Sequence, residues 1–197
     1  MGNNETKVGD EVVCKYENGI HCYKGSKLHN LGDQPAVISD YETAWYKDGE
    51  LHRTAVDKDG KTMPALIKEC GYKYWYKNGV LHRNDGPAVE MDTLKKYYKD
   101  GELHRIDGPA IEFYLGKEWW LNGQRHRDER DSNGNALPAV DRYDRKEWWI
   151  HDKMFRNNGH VIECADRHYL TMVDGKLQCV KHDQQPYSGQ PTRKINL

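Results

Sequence analysis

The stretch Tyr74-Trp75-Tyr76-Lys77-Asn78-Gly79-Val80-Leu81-His82-Arg83-Asn84-Asp85-Gly86-Pro87-Ala88-Val89-Glu90 is a unit that the chain repeats. A close copy occupies residues 97–112. Copies with insertions occupy residues 45–67, 119–141 and 148–163, and looser ones sit at each end. Tandem repetition confines the fold to an array in which each unit buries its apolar side against its neighbours.

Each copy reads as two aromatics, a tight turn, Leu-His-Arg, a second Asp-Gly-Pro turn and a short apolar strand. The tight turns Asn78-Gly79, Asp100-Gly101 and Asn122-Gly123 signal two-residue hairpins. They set Tyr76 opposite Leu81 and Trp75 opposite His82. From Val37, Val89, Ile111 and Val140 the next second aromatic lies nine residues on, and from Leu66 it lies ten. That spacing predicts a further pairing of Ile111 with Trp120 and of Glu112 with Trp119.

Alternation along strands then divides the unit into two faces. One carries Val or Ile, the second aromatic and the Leu column (in which Arg125 and Met154 also fall), and is the expected core. The other carries the first aromatics Trp45, Trp75, Tyr97, Trp119 and Trp148, the histidines His52, His82, His104 and His126, and Glu90 and Glu112. Two readings of this stripe stand: a binding surface, or a second core layer covered by another part of the sheet. The Asp-Gly-Pro corner is a bend, because Pro has no amide donor. Two copies lengthen it, at residues 54–63 and 128–137. These insertions predict surface loops in which Asp57, Lys58, Asp59, Lys61, Asp128, Glu129, Arg130 and Asp131 are candidate contacts.

Together these features predict an all-β protein: an elongated, curved antiparallel sheet of tandem hairpins. Residues 1–10 are expected to be a flexible start. Residues 11–181 form one array of about six repeats with a worn C-terminal cap around Asp174-Gly175, and residues 182–197 a polar tail.

Charged residues make up 31% of the chain, yet the formal net charge is −1. A duplex-DNA binder needs a basic surface, so that class is disfavoured. Mean hydropathy is −1.02, a value that suggests disorder unless the 13 Tyr and 6 Trp pack in register. No apolar run is long enough for a membrane helix, and residues 1–6 lack a signal-peptide pattern. They do match a loose Met-Gly-x-x-x-Thr acylation pattern, with no basic patch behind it. Five cysteines without a secretory signal suggest a reducing cytoplasm. Cys14 falls opposite Cys22, and whether they pair is open.

No nucleophile elbow, phosphate loop or His-Glu-x-x-His pair occurs, so neither an enzyme nor a cofactor is expected. Cys164, His168, Cys179 and His182 have zinc-like spacing, but a turn at Asp174-Gly175 sets His168 opposite Lys181 and His182 opposite Arg167. The two rings would point to opposite faces. The Arg of Leu-His-Arg and the Asp of Asp-Gly-Pro (Arg83 with Asp85, Arg105 with Asp107) read as corner-bracing pairs.

At Trp75 to Ala88 and Tyr97 to Ala110 the chain resembles MORN-like repeat proteins. It is most similar to a variant found in bacteriophages and large DNA viruses, whose unit reads Trp-Tyr-x-Asn-Gly-x-Leu-His-Arg-x-Asp-Gly-Pro-Ala. The resemblance spans roughly residues 20–165 and implies a scaffold or binding surface. The Gly-x-Gly of typical MORN repeats is absent. The expected function is non-catalytic binding of a protein partner, as a phage or viral inhibitor of a host defence protein in the host cytoplasm. A homodimer through an exposed sheet face or edge is a second expected assembly. Carbohydrate binding on repeated aromatic platforms is the alternative, and single-stranded nucleic acid binding the third reading.

Overall fold

The computed structural model describes residues 5–8, 12–15 and 19–181. The first four residues of the acylation pattern and residues 182–197, His182 among them, lie outside the described residues. The chain divides into two compact units, Met1–Glu102 and Leu103–Leu197. All described regular structure is antiparallel β-strand, and no helix is long and apolar enough to cross a membrane.

The small hairpins form as the turns dictate. Asn78 (φ 49°) with Gly79 (φ 76°), and Asn122 (φ 49°) with Gly123 (φ 73°), adopt the left-handed pair that a type I′ turn requires. Tyr46 therefore pairs with Leu51, Tyr76 with Leu81, Trp120 with Arg125 and Trp149 with Met154. Cys14 faces Cys22, and Met172 faces Leu177.

The larger sheet has a different register from the one that spacing predicts. Ile111 pairs with Glu118, and Glu112 with Lys117, two residues short of the aromatics. Strands such as Lys73–Tyr74 and Gly116–Glu118 stop before the first aromatic, and a separate ladder begins after it. The first aromatic lies between the two ladders and belongs to neither. There the Trp75 amide donates to the Ala88 carbonyl at 2.8 Å and the Trp119 amide to that of Ala139 at 2.7 Å. The alanines at these crossings (Ala65, Ala88, Ala110, Ala139) are fully buried at 0% exposure, leaving room for nothing larger than a methyl group.

Side chains of one parity form a row across each unit. In the first it runs Val37, Ala44, Leu66, Tyr74, Val89, Lys96. In the second it runs Ile111, Glu118, Val140, Glu147, Ile162, Leu170. On the opposite side of the second unit, Glu112, Lys117, Asp141, Lys146 and Glu163 alternate in sign across neighbouring strands. Opposite charges across strands are mildly stabilising.

At the amino-terminal side, Glu5–Val8 is a strand paired with Val12–Lys15, so part of the segment expected to be flexible is structured. Cys14 and Cys22 are joined as a disulfide, buried beside Val12 and Ile20. Such bonds persist in oxidising compartments, so this one and the expected reducing cytoplasm pull in opposite directions.

Candidate binding surface

The first aromatics share a side with Glu90 and Glu112, but they are not open. Trp75 is 5% exposed, Trp148 4% and Trp45 9%; Tyr97 and Trp119 are half-buried. Four arginines at this position of the repeat lie over a first-aromatic indole, two of them in Leu-His-Arg (Arg53, Arg83) and two in worn copies of it (Arg127, Arg156). Arg53 sits 3.7 Å from the Trp45 ring, Arg83 3.9 Å from Trp75, Arg127 3.7 Å from Trp119 and Arg156 3.8 Å from Trp148.

The same guanidinium closes the corner. Arg83 Nη1 donates to the Pro87 carbonyl at 3.2 Å and its Nε to Asp85 at 2.6 Å. Arg105 does the same with Pro109 and Asp107. Glu112 accepts from Arg105 at 2.6 Å, and Glu90 lies 4.0 Å from Arg83. Three of these indole N–H groups are spent on backbone: Trp75 Nε1 donates to Thr62 O at 2.8 Å, Trp45 Nε1 to Asp33 O at 3.1 Å and Trp148 Nε1 to Ala136 O at 2.7 Å. The stripe is thus a sealed Trp–Arg–Glu layer, because a stacked cation with its hydrogen bonds satisfied covers a ring as well as an apolar neighbour does. Of the two readings of the stripe, the covered layer describes Trp45, Trp75 and Trp148, with the cover supplied by arginines rather than by another part of the sheet.

The histidines are also structural. The Nδ1 atoms of His52, His82 and His104 accept the backbone amides of Asn78, Asp100 and Asn122, at 3.1, 3.1 and 3.2 Å. Each ring thereby pins the turn of the following hairpin. His126 departs from this pattern. Its Nδ1 is buried without a partner, and its ring lies 4.1 Å from that of His151.

The two long corners fold alike. Asp57 caps its own turn by accepting the amides of Asp59 and Lys61, and Asp131 accepts those of Asn133 and Asn135. Both loops are pinned to the next copy. Thr62 donates its amide and its hydroxyl to Asp85 at 2.6 Å each, and the Ala136 amide donates to Asn157 at 3.2 Å. Burial alone would raise the Asp85 carboxyl, but the Thr62 and Arg83 hydrogen bonds prevail and hold it at about 2. Lys58, Asp59, Lys61, Asp128, Glu129 and Arg130 remain exposed, as does Asp57; Asp131 is half-buried.

Sequence reasoning missed the most exposed aromatics. Tyr114 is 85% exposed, Tyr143 83% and Leu115 51%. They occupy adjacent sheet turns of the second unit, where the Tyr143 amide donates to the Leu115 carbonyl at 2.8 Å. Tyr41, 74% exposed, holds a comparable turn in the first unit. Beneath the second-unit turns, Glu118 is 3% exposed and accepts from Arg142 and from Trp120 Nε1. Glu147, 4% exposed, ion-pairs with Arg145 and accepts from Trp149 Nε1. These anchored acids fix the strands that present the tyrosines. Readable signals existed: aromatics at turn positions where other copies carry Glu69-Cys70 or Asp92-Thr93, and a Glu two residues before each Trp120-type indole.

Among the described residues no three His, Cys, Asp or Glu side chains converge to hold a metal, and His168 pairs with Lys181. Comparison of the chain with protein-family models, curated proteins and solved structures returned no match.

Proposed function

We propose that this chain is a MORN-like repeat array that acts without catalysis, by covering a protein partner through the turn rim Tyr114, Leu115 and Tyr143. The observation that carries this reading is the contrast in exposure. The array packs its tryptophans away, yet holds two tyrosines above 80% exposure beside an exposed leucine. Large exposed apolar groups gathered on turns mark interaction surfaces, and tyrosine is enriched at binding hot spots. The exposed corner residues Asp57, Lys58, Asp59, Asp128, Glu129 and Arg130 supply a polar contact set within their own units. A phage or viral inhibitor of a host protein is the narrower form of the proposal and rests on the repeat resemblance. The carbohydrate alternative loses its stacking platform once the indoles lie under arginine.

The test is affinity capture from a host lysate, with the chain and its Tyr114→Ser/Tyr143→Ser variant side by side. The expected result is a protein held by the first and lost by the second at unchanged fold. Equal capture by both, or capture by neither, contradicts the proposal.

A further inference from the structure

Adjacent small hairpins meet at repeated seams, and four of them follow one rule. The turn amide of the later hairpin donates to a histidine Nδ1 of the earlier one: Asp48 to His29 at 3.0 Å, Asn78 to His52 at 3.1 Å, Asp100 to His82 at 3.1 Å and Asn122 to His104 at 3.2 Å. Two backbone bonds accompany it, as in the donation of Gly123 to Leu103 O and of Arg105 to Trp120 O.

The fifth seam keeps the backbone pair, with Asp152 donating to Arg125 O at 3.0 Å and Arg127 to Trp149 O at 3.1 Å. It lacks the histidine bond. Its turn is His151-Asp152, both non-glycine and both at positive φ (47° and 56°). Such a conformation is strained for residues with a Cβ. The two rings lie 4.1 Å apart, and the buried Nδ1 of His126 and Nε of Arg125 both lack partners.

The charged groups around the pair are unevenly placed. Arg125 lies between the Trp120 and Trp149 rings, at 5.0 and 5.2 Å, and Arg127 stacks on Trp119. Asp128 stands 3.8 Å from His126 Nε2 but is 79% exposed. Asp152 is engaged by the Arg125 amide, and Gln124 faces His151 Nδ1.

We infer that the His126–His151 seam is an acid-opened joint: a proton on this ring pair separates the two hairpins. A proton would add a cation between two tilted rings in contact, beside two arginines, where one solvent-exposed carboxylate is the nearest offset. Burial, then the neighbouring His151, lower the His126 value, against an opposing pull from Asp128. A histidine whose folded value is depressed favours the closed form above its unfolded value. That preference is lost as pH falls through about 6.5 and below.

The experiment is amide hydrogen exchange on the whole chain, corrected for intrinsic rates, at about pH 7.5 and about pH 5.5, the window in which histidine switches. Exchange at Asp152 and Arg127 should rise about tenfold on acidification. His151→Asn/Asp152→Gly, which installs the Asn122-Gly123 turn, should abolish the rise. His126→Phe, which keeps a ring that cannot titrate, should abolish it too. A flat profile at Asp152, or a rise that survives both variants, overturns the inference.

Discussion

Trp75 and Tyr143 belong to the same class of side chain and meet opposite fates. Trp75 is capped by Arg83, hydrogen-bonded to Thr62 and 5% exposed. Tyr143 stands on a turn at 83% exposure, above strands tied by Arg142 and Glu118. The difference lies in the neighbours. Where an arginine lies over the ring and the indole N–H reaches a backbone carbonyl, as at Trp45, Trp75 and Trp148, the aromatic is enclosed. Where an aromatic replaces a polar turn residue, nothing in the repeat can cover it. An array built from aromatics therefore divides them into mortar and surface by position alone.

Breaking the enclosed half should have the largest effect. Trp75→Ala removes a buried indole and leaves the Thr62 carbonyl without its donor. A loss of about 3–5 kcal/mol in urea unfolding is expected, enough to unfold a marginal domain. Arg83→Ala uncovers the ring and strands the Pro87 carbonyl and Asp85. The same assay should read a loss of about 2 kcal/mol.

A smaller effect comes from the Asp85 hinge between the long corner and the next copy. Its folded value of about 2 lies below the ordinary 3.8. The stabilisation is thus present above about pH 4 and disappears as pH falls toward about 2. Discounted for partial exposure, it amounts to about 1–2 kcal/mol. Asp85→Asn should flatten that acid limb of the unfolding free energy, measured by denaturant titration at several pH values. The smallest change belongs to the open half. Tyr114→Ser/Tyr143→Ser should shift stability by no more than about 0.5 kcal/mol, while partner binding weakens by tenfold or more, as loss of a hot spot of about 2 kcal/mol implies.

The small hairpins were legible in the sequence, since the Asn78-Gly79 turn admits a single register and so fixes Tyr76 against Leu81. The wider pairing was not. Counting from Ile111 to Trp120 treats the chain as continuous strand, whereas one ladder ends at Glu118 and a separate one begins at Trp120. Face arithmetic placed Trp75 and Glu90 on one side but could not show that Arg83 folds back over the ring. That depends on a corner geometry built from Asp85, Gly86 and Pro87 together. The disulfide position was visible as a facing pair, Cys14 and Cys22, but not the bond itself. Tyr114 and Tyr143 were overlooked because they sit outside the repeated unit, where a search for regularity gives no weight.

The division into enclosed and open aromatics is tested most directly by hydroxyl-radical footprinting of the native chain, read residue by residue by mass spectrometry. Tyr114 and Tyr143 should be oxidised rapidly in the folded protein. Trp45, Trp75 and Trp148 should stay protected until denaturant is added. Oxidation of Trp75 as fast as that of Tyr143 in the native state would contradict the account.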